Sequence, residues 1–141
     1  MNRLALMLRT PVLVMTILAT LTGCLPSGDP LAGTAWKLTA WSVSALDPTQ
    51  FTISASFADG QVSGSSGVNS YGGAYRVGPG EAFSAGPLAA TLMGGPEPAM
   101  RAESAYLTLL GQAASYQVTD SQLTLFDQNG NESLIFTRSE R

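Results

Sequence analysis

The 141-residue sequence contains no histidine and only one cysteine, Cys24. Without histidine, the chain lacks the usual general base of hydrolases, the Ser-His and Cys-His pairs of nucleophilic catalysis, and the commonest metal ligand. A lone cysteine cannot form a disulfide within the domain, so the fold has to be stabilised by packing. We therefore predict a protein that is not an enzyme, with no catalytic residues, no metal and no cofactor.

Charged residues are also scarce, at 12% of the chain, and acids outnumber bases. Removal of Arg3 and Arg9 with an export signal would leave five basic and ten acidic residues, a net charge of −5. This excess of acid argues against binding to nucleic acid and against electrostatic adhesion to anionic lipid. Any membrane attachment then has to come from a lipid or an apolar anchor.

The N-terminal segment predicts such an attachment. A basic start is followed by an apolar run over residues 11–21, which is shorter than the roughly 20 residues of a spanning helix. This is typical of a signal peptide, and an uncleaved anchor is the alternative. Leu21-Thr22-Gly23-Cys24 closes the run and resembles the lipobox of bacterial lipoprotein precursors, whose cysteine is acylated. We predict lipid attachment at Cys24.

This prediction divides the chain into a signal peptide (1–23), a lipidated tether (24–32), a domain (33–138) and a short tail (139–141). The expected location is the cell envelope. Leu25 stands where an aspartate often marks inner-membrane retention, so an outer membrane facing the periplasm is favoured if the organism has one.

Short alternating runs predict an antiparallel β domain. Residues 51–57 alternate apolar and hydroxyl side chains, and Asp59-Gly60 predicts a type I′ hairpin that returns residues 61–63 onto them. Asn129-Gly130 predicts a second hairpin. A change of phase at Ala40-Trp41 indicates a bulge.

One helix is predicted, over Glu97–Gln112, since prolines and an acid mark its first turn. Its expected apolar face carries Met100, Glu103, Leu107, Leu110 and Ala114, with Tyr106 beside them. The predicted fold class is mainly β (α+β): a small antiparallel, partly open β-barrel or curled sheet of about seven or eight strands, with this helix late in the chain.

The glycine-rich stretch over residues 64–75, here called the signature segment, is read as a sheet corner and not as a ligand loop. Its candidate site residues, expected to be structural with a surface position as the alternative for some, are Gly64, Gly67, Asn69, Tyr71, Gly73 and Tyr75. It matches neither the phosphate-loop nor the dinucleotide pattern. We expect Asn69 to bond the backbone of its own turn instead of a ligand. Asp127 begins a loop with partial calcium-loop spacing, but its glycine is misplaced and a hairpin turn is favoured.

The signature segment, with residues 57–63 before it, resembles the signature of META domains, the group of HslJ-like bacterial lipoproteins. Residues 33–38, 88–93, 103–110 and 123–136 resemble further parts of that family. The resemblance implies a small barrel with a helix, often lipid-anchored and linked to stress response, motility or secretion. Many members carry two cysteines at the positions of Val68 and Gly95, and their joint absence here fits a disulfide that this chain lacks.

The function we expect is a non-enzymatic, membrane-tethered module, related to stress or binding an envelope protein or peptide. The alternative is a carrier of a hydrophobic small molecule or lipid, with a cavity lined by Phe51, Ile53, Phe57, Leu123 and Leu125. The membrane, through the lipid, and an envelope protein or peptide are the expected partners; nucleic acid and metal are not.

Overall fold

The computed structural model describes residues 28–43 and 45–140. The predictions for the signal peptide, for Cys24 and for the first part of the tether lie outside these residues. Nine strands and one α-helix occur in the described part. They are β1 (Thr34–Trp41), β2 (Ser54–Ala58), β3 (Gln61–Ser65), β4 (Ser70–Gly78), β5 (Ala82–Ala85), β6 (Ala89–Ala90), α1 (Glu97–Gln112), β7 (Ser115–Val118), β8 (Gln122–Phe126) and β9 (Glu132–Arg138).

Eight of these strands form a closed antiparallel barrel in the order β3-β2-β1-β9-β8-β7-β5-β4, because β4 also pairs with β3. The two-residue strand β6 pairs with the start of β4, through Tyr71 and Gly72. The predicted mainly β fold with a late helix is confirmed, and the barrel closes where the sequence suggested a partly open one.

The hairpins follow the turn chemistry of their residues. Asp59 and Gly60 both have positive φ, 51° and 73°, as a type I′ turn requires, and Ser56 faces Ser63 across the hairpin. In the second hairpin Gly130 has a φ of 79°. The predicted bulge in β1 is present as a register shift against β9 between Leu38 and Ala40, one residue earlier than expected.

Some boundaries differ from the sequence predictions for local reasons. β2 begins at Ser54 and not at residue 51, because Phe51 ends a 3-10 turn (Pro48–Gln50) and Ile53 makes only an isolated bridge to Ser66. Leu31, which the sequence placed in the tether, is completely buried in the core. The folded domain therefore includes residues just before 33.

The apolar face of α1 is rotated from the predicted one. Glu103, Tyr106 and Leu110 are buried as expected, and Ala102 joins them. Met100 is 37% exposed and Leu107 is only half-buried. The sequence pattern favoured Met100 for the buried face, whereas the structure buries Ala102.

Aromatic rings fill the barrel. Phe57 packs edge-on against Tyr75 with ring centroids 4.8 Å apart, and Tyr106 meets Phe136 at 6.4 Å. Ile53, Phe57, Leu123 and Leu125 are at most 1% exposed, and Phe51 is partly buried against this core. These residues, which the carrier hypothesis placed around a cavity, belong to a packed core.

Within residues 28–43 and 45–140, no helix combines the length and apolar character needed to cross a membrane.

Candidate functional site

The signature segment contains a tight turn between two strands. β3 ends at Ser65, and β4 begins at Ser70. Between them the Ser66 N–H donates to the Asn69 carbonyl oxygen at 2.8 Å, and the Ser66 Oγ lies 2.9 Å from the same oxygen. Gly67 has a φ of +121°, which side-chain-bearing residues rarely adopt. We call residues 66–69 the corner.

A buried carboxylate on α1 binds this corner. Glu103 is 7% exposed, and its Oε2 accepts hydrogen bonds from Ser66 Oγ at 2.6 Å, Asn69 N at 2.7 Å and Val68 N at 3.2 Å. Its Oε1 accepts from Asn69 Nδ2 at 2.7 Å. Four neutral donors thus surround one carboxylate, and no cation of the described chain forms an ion pair with it.

These contacts set the ionisation of Glu103. Burial opposes the charged form, but the hydrogen bonds from Ser66, Asn69 and Val68 outweigh burial and hold the pKa of Glu103 below its ordinary value. The group is therefore an ionised structural anchor at neutral pH. The sequence offered one signal for it, since Glu103 lies on the predicted apolar face of a helix, where an unpaired carboxylate would be costly.

Asn69 extends the network to the segment before α1. Its Oδ1 accepts from Met93 N at 2.7 Å and from Thr91 Oγ at 2.9 Å, and its Nδ2 also donates to Met93 O at 3.1 Å. Asn69 is 3% exposed. The expectation that this side chain bonds the backbone of its own turn is wrong, because the side chain reaches across to two other elements while its backbone carbonyl serves the turn.

The aromatic members of the signature segment point inward. Tyr71 Oη lies 2.6 Å from Tyr106 Oη and donates to the Ser54 carbonyl oxygen at 3.0 Å. Burial raises the pKa of both Tyr71 and Tyr106 well above the usual range, so both hydroxyls stay protonated. Tyr75, 4% exposed, donates its hydroxyl proton to the Asp29 carboxylate.

Two glycines of the segment allow close packing of neighbouring backbone. A Cβ at Gly64 would lie 2.2 Å from the Ser54 carbonyl oxygen, and a Cβ at Gly73 would lie 2.7 Å from the Pro87 carbonyl oxygen. Both positions therefore require glycine for space. Gly64, Tyr71, Gly73 and Tyr75 lie on the barrel strands, and Gly67 and Asn69 lie in the corner. The side chains of Asn69, Tyr71 and Tyr75 are all buried.

The positions at which family members carry cysteines are neighbours. A Cβ built at Gly95 would lie 3.5 Å from the Val68 Cβ and within 3.0 Å of its methyl groups. That spacing suits the Cβ atoms of a disulfide. In this chain, hydrogen bonds between the Asn69 side chain and Thr91 and Met93 join the corner to the segment just before Gly95 without a covalent link.

Large apolar side chains are exposed beside the corner. Leu92 is 98% exposed and Met93 is 60% exposed, although Asn69 holds the Met93 backbone through two hydrogen bonds. We call residues 91–93 the apolar turn. Its backbone is fixed while its side chains lie in solvent.

The remaining candidate sites are turns. The Asp127 carboxylate accepts from the backbone N–H groups of Asn129 and Asn131 at 2.8 and 2.9 Å, which stabilises the second hairpin. Among the described residues, no cluster of three or more potential metal ligands occurs.

Comparisons with known proteins agree with this architecture. The family model of the META domain matches residues 29–140. The NMR structure of a protein from Burkholderia xenovorans is 30% identical, covers 79% of this chain and 85% of its own, and superposes with a TM-score of 0.65. A crystal structure of a DUF4847 family protein from Bacteroides vulgatus ATCC 8482, at 13% identity, covers 79% of this chain and 96% of its own with a TM-score of 0.56, and shows the fold alone. No curated protein sequence matches significantly.

Proposed function

Because this chain belongs to the META domain family, we propose that it is a non-enzymatic lipoprotein of the cell envelope that binds another protein through the outer surface of its barrel. Acylation of Cys24 holds it on the membrane, facing the periplasm where an outer membrane exists. The bound protein is a component of the cell envelope. The protein acts in the stress response, a role that the family resemblance implies.

The observation that carries this proposal is the apolar turn. Leu92 and Met93 are adjacent and both largely exposed, and contiguous exposed apolar surface marks sites of protein contact. Hydrogen bonds between Asn69 and both Met93 and Thr91 fix the backbone of the apolar turn. A preorganised contact loses little conformational entropy on binding, so even a small apolar surface contributes to affinity.

The packing of the barrel interior favours a function on the outer surface of the protein. Its aromatic rings pack against one another, and Trp36 and Tyr106 are completely buried. Glu103, a carboxylate buried beside the corner, is saturated by structural hydrogen bonds and has no free position for a proton-transfer role. These two facts favour binding over catalysis and over transport of a lipid inside the barrel.

The apolar turn lies far from the point where the tether enters the domain. Thr91 pairs with Ser70 at the start of β4, whereas Asp29 lines a groove with Val77 and Gly78 at its end. At roughly 3.3 Å per residue, the two ends of this strand are about 26 Å apart. A tether at one end thus leaves the apolar turn available to a partner at the other.

In-cell photo-crosslinking tests the proposal. The full chain carries a photoreactive amino acid either at Leu92 or, as a matched control, at the exposed position Ser56 on β2. We expect a discrete protein adduct from position 92 that is absent from position 56, and its loss when Met93 is replaced in M93E. Equal labelling from both positions, or none from position 92, would reject the proposed binding surface.

Lipid attachment is tested separately with Cys24→Ser. We expect the variant to remain unprocessed and to incorporate no radioactive palmitate, while the parent chain is labelled. Palmitate labelling that persists in C24S would exclude Cys24 as the attachment site.

A further inference from the structure

β6 presents an unpaired backbone edge. Among the described strands it pairs only with β4. The Thr91 N–H donates to the Ser70 carbonyl oxygen at 3.0 Å, and residues 71 and 90 face each other as the next pair. Because the hydrogen-bonding direction alternates along a strand, the N–H and C=O of Ala90 point away from β4. Such an edge is a template for a further strand.

A groove of about 430 Å³, open to solvent, runs beside the segment that leads into this edge. One wall is the segment over residues 86–88, and the other is a face of α1 with Ser104, Leu107, Thr108 and Gly111. These four residues have the i, i+3, i+4, i+7 spacing of a single helix face. The groove thus lies between a helix and an extended segment that continues directly into the β6 edge, and a helix beside a free strand edge is an arrangement in which domains bind extended peptides.

We propose that this groove binds an extended segment of the partner protein as an additional strand on β6. The proposal rests on the proposed function and names the mode of recognition. The bound segment pairs its backbone with Ala90, directs alternate small apolar side chains towards Leu107, and continues towards the apolar turn at Leu92.

The groove chemistry selects a peptide over a lipid chain. An acyl chain would cover the Ala90 N–H and C=O without offering them hydrogen bonds, whereas a peptide backbone supplies both a donor and an acceptor. Small side chains at Ser104, Thr108 and Gly111 leave room for a backbone to approach the helix.

Charge further restricts the kind of peptide that would bind in the groove. No charged side chain of the described chain lines the groove, so an acidic or basic residue of the peptide would find no direct ion pair there. The described domain as a whole is acidic, with ten acids and four bases. The occupant we infer is therefore apolar at alternate positions and neutral or basic overall.

The test uses the purified full chain in detergent micelles and defined seven-residue peptides. The main probe alternates valine with threonine and serine and has a lysine at each end. Fluorescence anisotropy gives the affinity, and hydrogen exchange read by mass spectrometry locates the protected amides. We expect a Kd of about 10–500 µM, as for a short peptide added to a strand edge, and protection of residues 86–93.

Three variants assign that binding to the edge and the groove. Ala90→Pro removes the outward N–H, which β4 does not use, and Thr108→Trp fills the groove from the helix; each is expected to weaken binding at least tenfold. Ser56→Trp, on the exposed face of β2, is the control and should leave the affinity unchanged. Thermal unfolding checks that each variant is folded. N-methylation of one alternating set of peptide amides should abolish binding, and methylation of the other set should not.

The outcomes separate this inference from the proposed function. Absence of peptide binding at 1 mM, or binding that Ala90→Pro and both N-methylated peptides leave unchanged, overturns strand addition. If the crosslink from position 92 persists in that case, the surface function stands and only the groove is wrong. Displacement of the peptide by added phospholipid, with protection at residues 86–93 by the lipid itself, would also overturn the inference in favour of an acyl ligand.

Discussion

Two of the junctions between barrel strands differ sharply in how they are held together. At the corner, β3 and β4 share five residue pairs. The Glu103 carboxylate on α1 also accepts four hydrogen bonds from corner residues. At the other junction, which we call the seam, β5 and β7 share one residue pair, Ala82 with Ser115, and Phe83 N–H donates to the Ala114 carbonyl oxygen at 3.0 Å. Both complete the same ring, but only the corner contains a buried polar network.

The difference shows which of the two junctions is held in a single geometry. A buried carboxylate with all its donors in place fixes one geometry, because any displacement leaves a charge or an N–H group unsatisfied. The seam has no comparable constraint, so its strands can separate at lower cost. The corner also holds the apolar turn through Asn69, which links the stability of this region to the proposed binding surface.

The largest expected effect is the loss of the corner anchor. Glu103→Ala leaves the Ser66 hydroxyl and the Val68 and Asn69 amides without their acceptor, and we expect a loss of about 3–5 kcal/mol in the free energy of unfolding. Urea denaturation measures it. Ser104→Ala, the neighbouring exposed position on α1, is the control and should change stability by at most about 0.5 kcal/mol. A loss below about 1 kcal/mol for E103A would show that the network contributes little.

A covalent staple should strengthen the same corner. In the double variant Val68→Cys and Gly95→Cys, the Cβ spacing of 3.5 Å allows a disulfide without backbone movement. Closing this loop of about 28 residues should stabilise the oxidised protein by about 3–4 kcal/mol relative to the reduced form. Peptide mapping identifies the bond and excludes pairing with Cys24. The staple should also recover part of the stability lost in E103A; failure to form under mild oxidation would contradict the corner geometry.

Part of the pH dependence of stability should come from the corner. The pKa of Glu103 is lowered in the folded state, so its contribution is fully present above its ordinary value of 4.5 and is lost as the pH falls through the lower folded value. Glu103→Gln should therefore flatten the decline of stability below that pH. Parallel profiles for the parent and E103Q, measured by urea midpoints across the acid range, would contradict this assignment.

The smallest expected effect is at the seam. Ser115 faces Ala82 there through its backbone, so Ser115→Ala should change the free energy of unfolding by no more than about 0.5 kcal/mol. A loss comparable to that of E103A would remove the contrast between the two junctions. Urea denaturation under identical conditions makes the comparison.

The sequence predicted the parts of this fold that depend on local chemistry. Asp59-Gly60 gave the hairpin because both residues tolerate positive φ, and the helix bounds Glu97–Gln112 match because proline and an acid mark its start. Alternation predicted strand positions but not the long-range pairs β1–β9 and β5–β7, because these join strands far apart in sequence and depend on the curvature of the whole sheet.

The site was harder to predict than the fold. The sequence marked Asn69 and Glu103 separately, but their contact spans 34 residues and depends on how α1 is rotated. The rotation itself was misjudged, because Met100 fits an apolar pattern and Ala102 does not stand out. The resemblance located Val68 and Gly95, but no sequence signal indicated that the Asn69 side chain bonds Thr91 and Met93 in the segment before Gly95.

Native-state hydrogen exchange of two amides tests the central comparison most directly. The Asn69 N–H, bound to Glu103, should exchange only through global unfolding, with a free energy that falls steeply with urea. The Phe83 N–H at the seam should exchange through a smaller opening with weak dependence on urea. Equal exchange free energies and equal urea dependence at the two amides, or faster exchange at Asn69, would contradict the account.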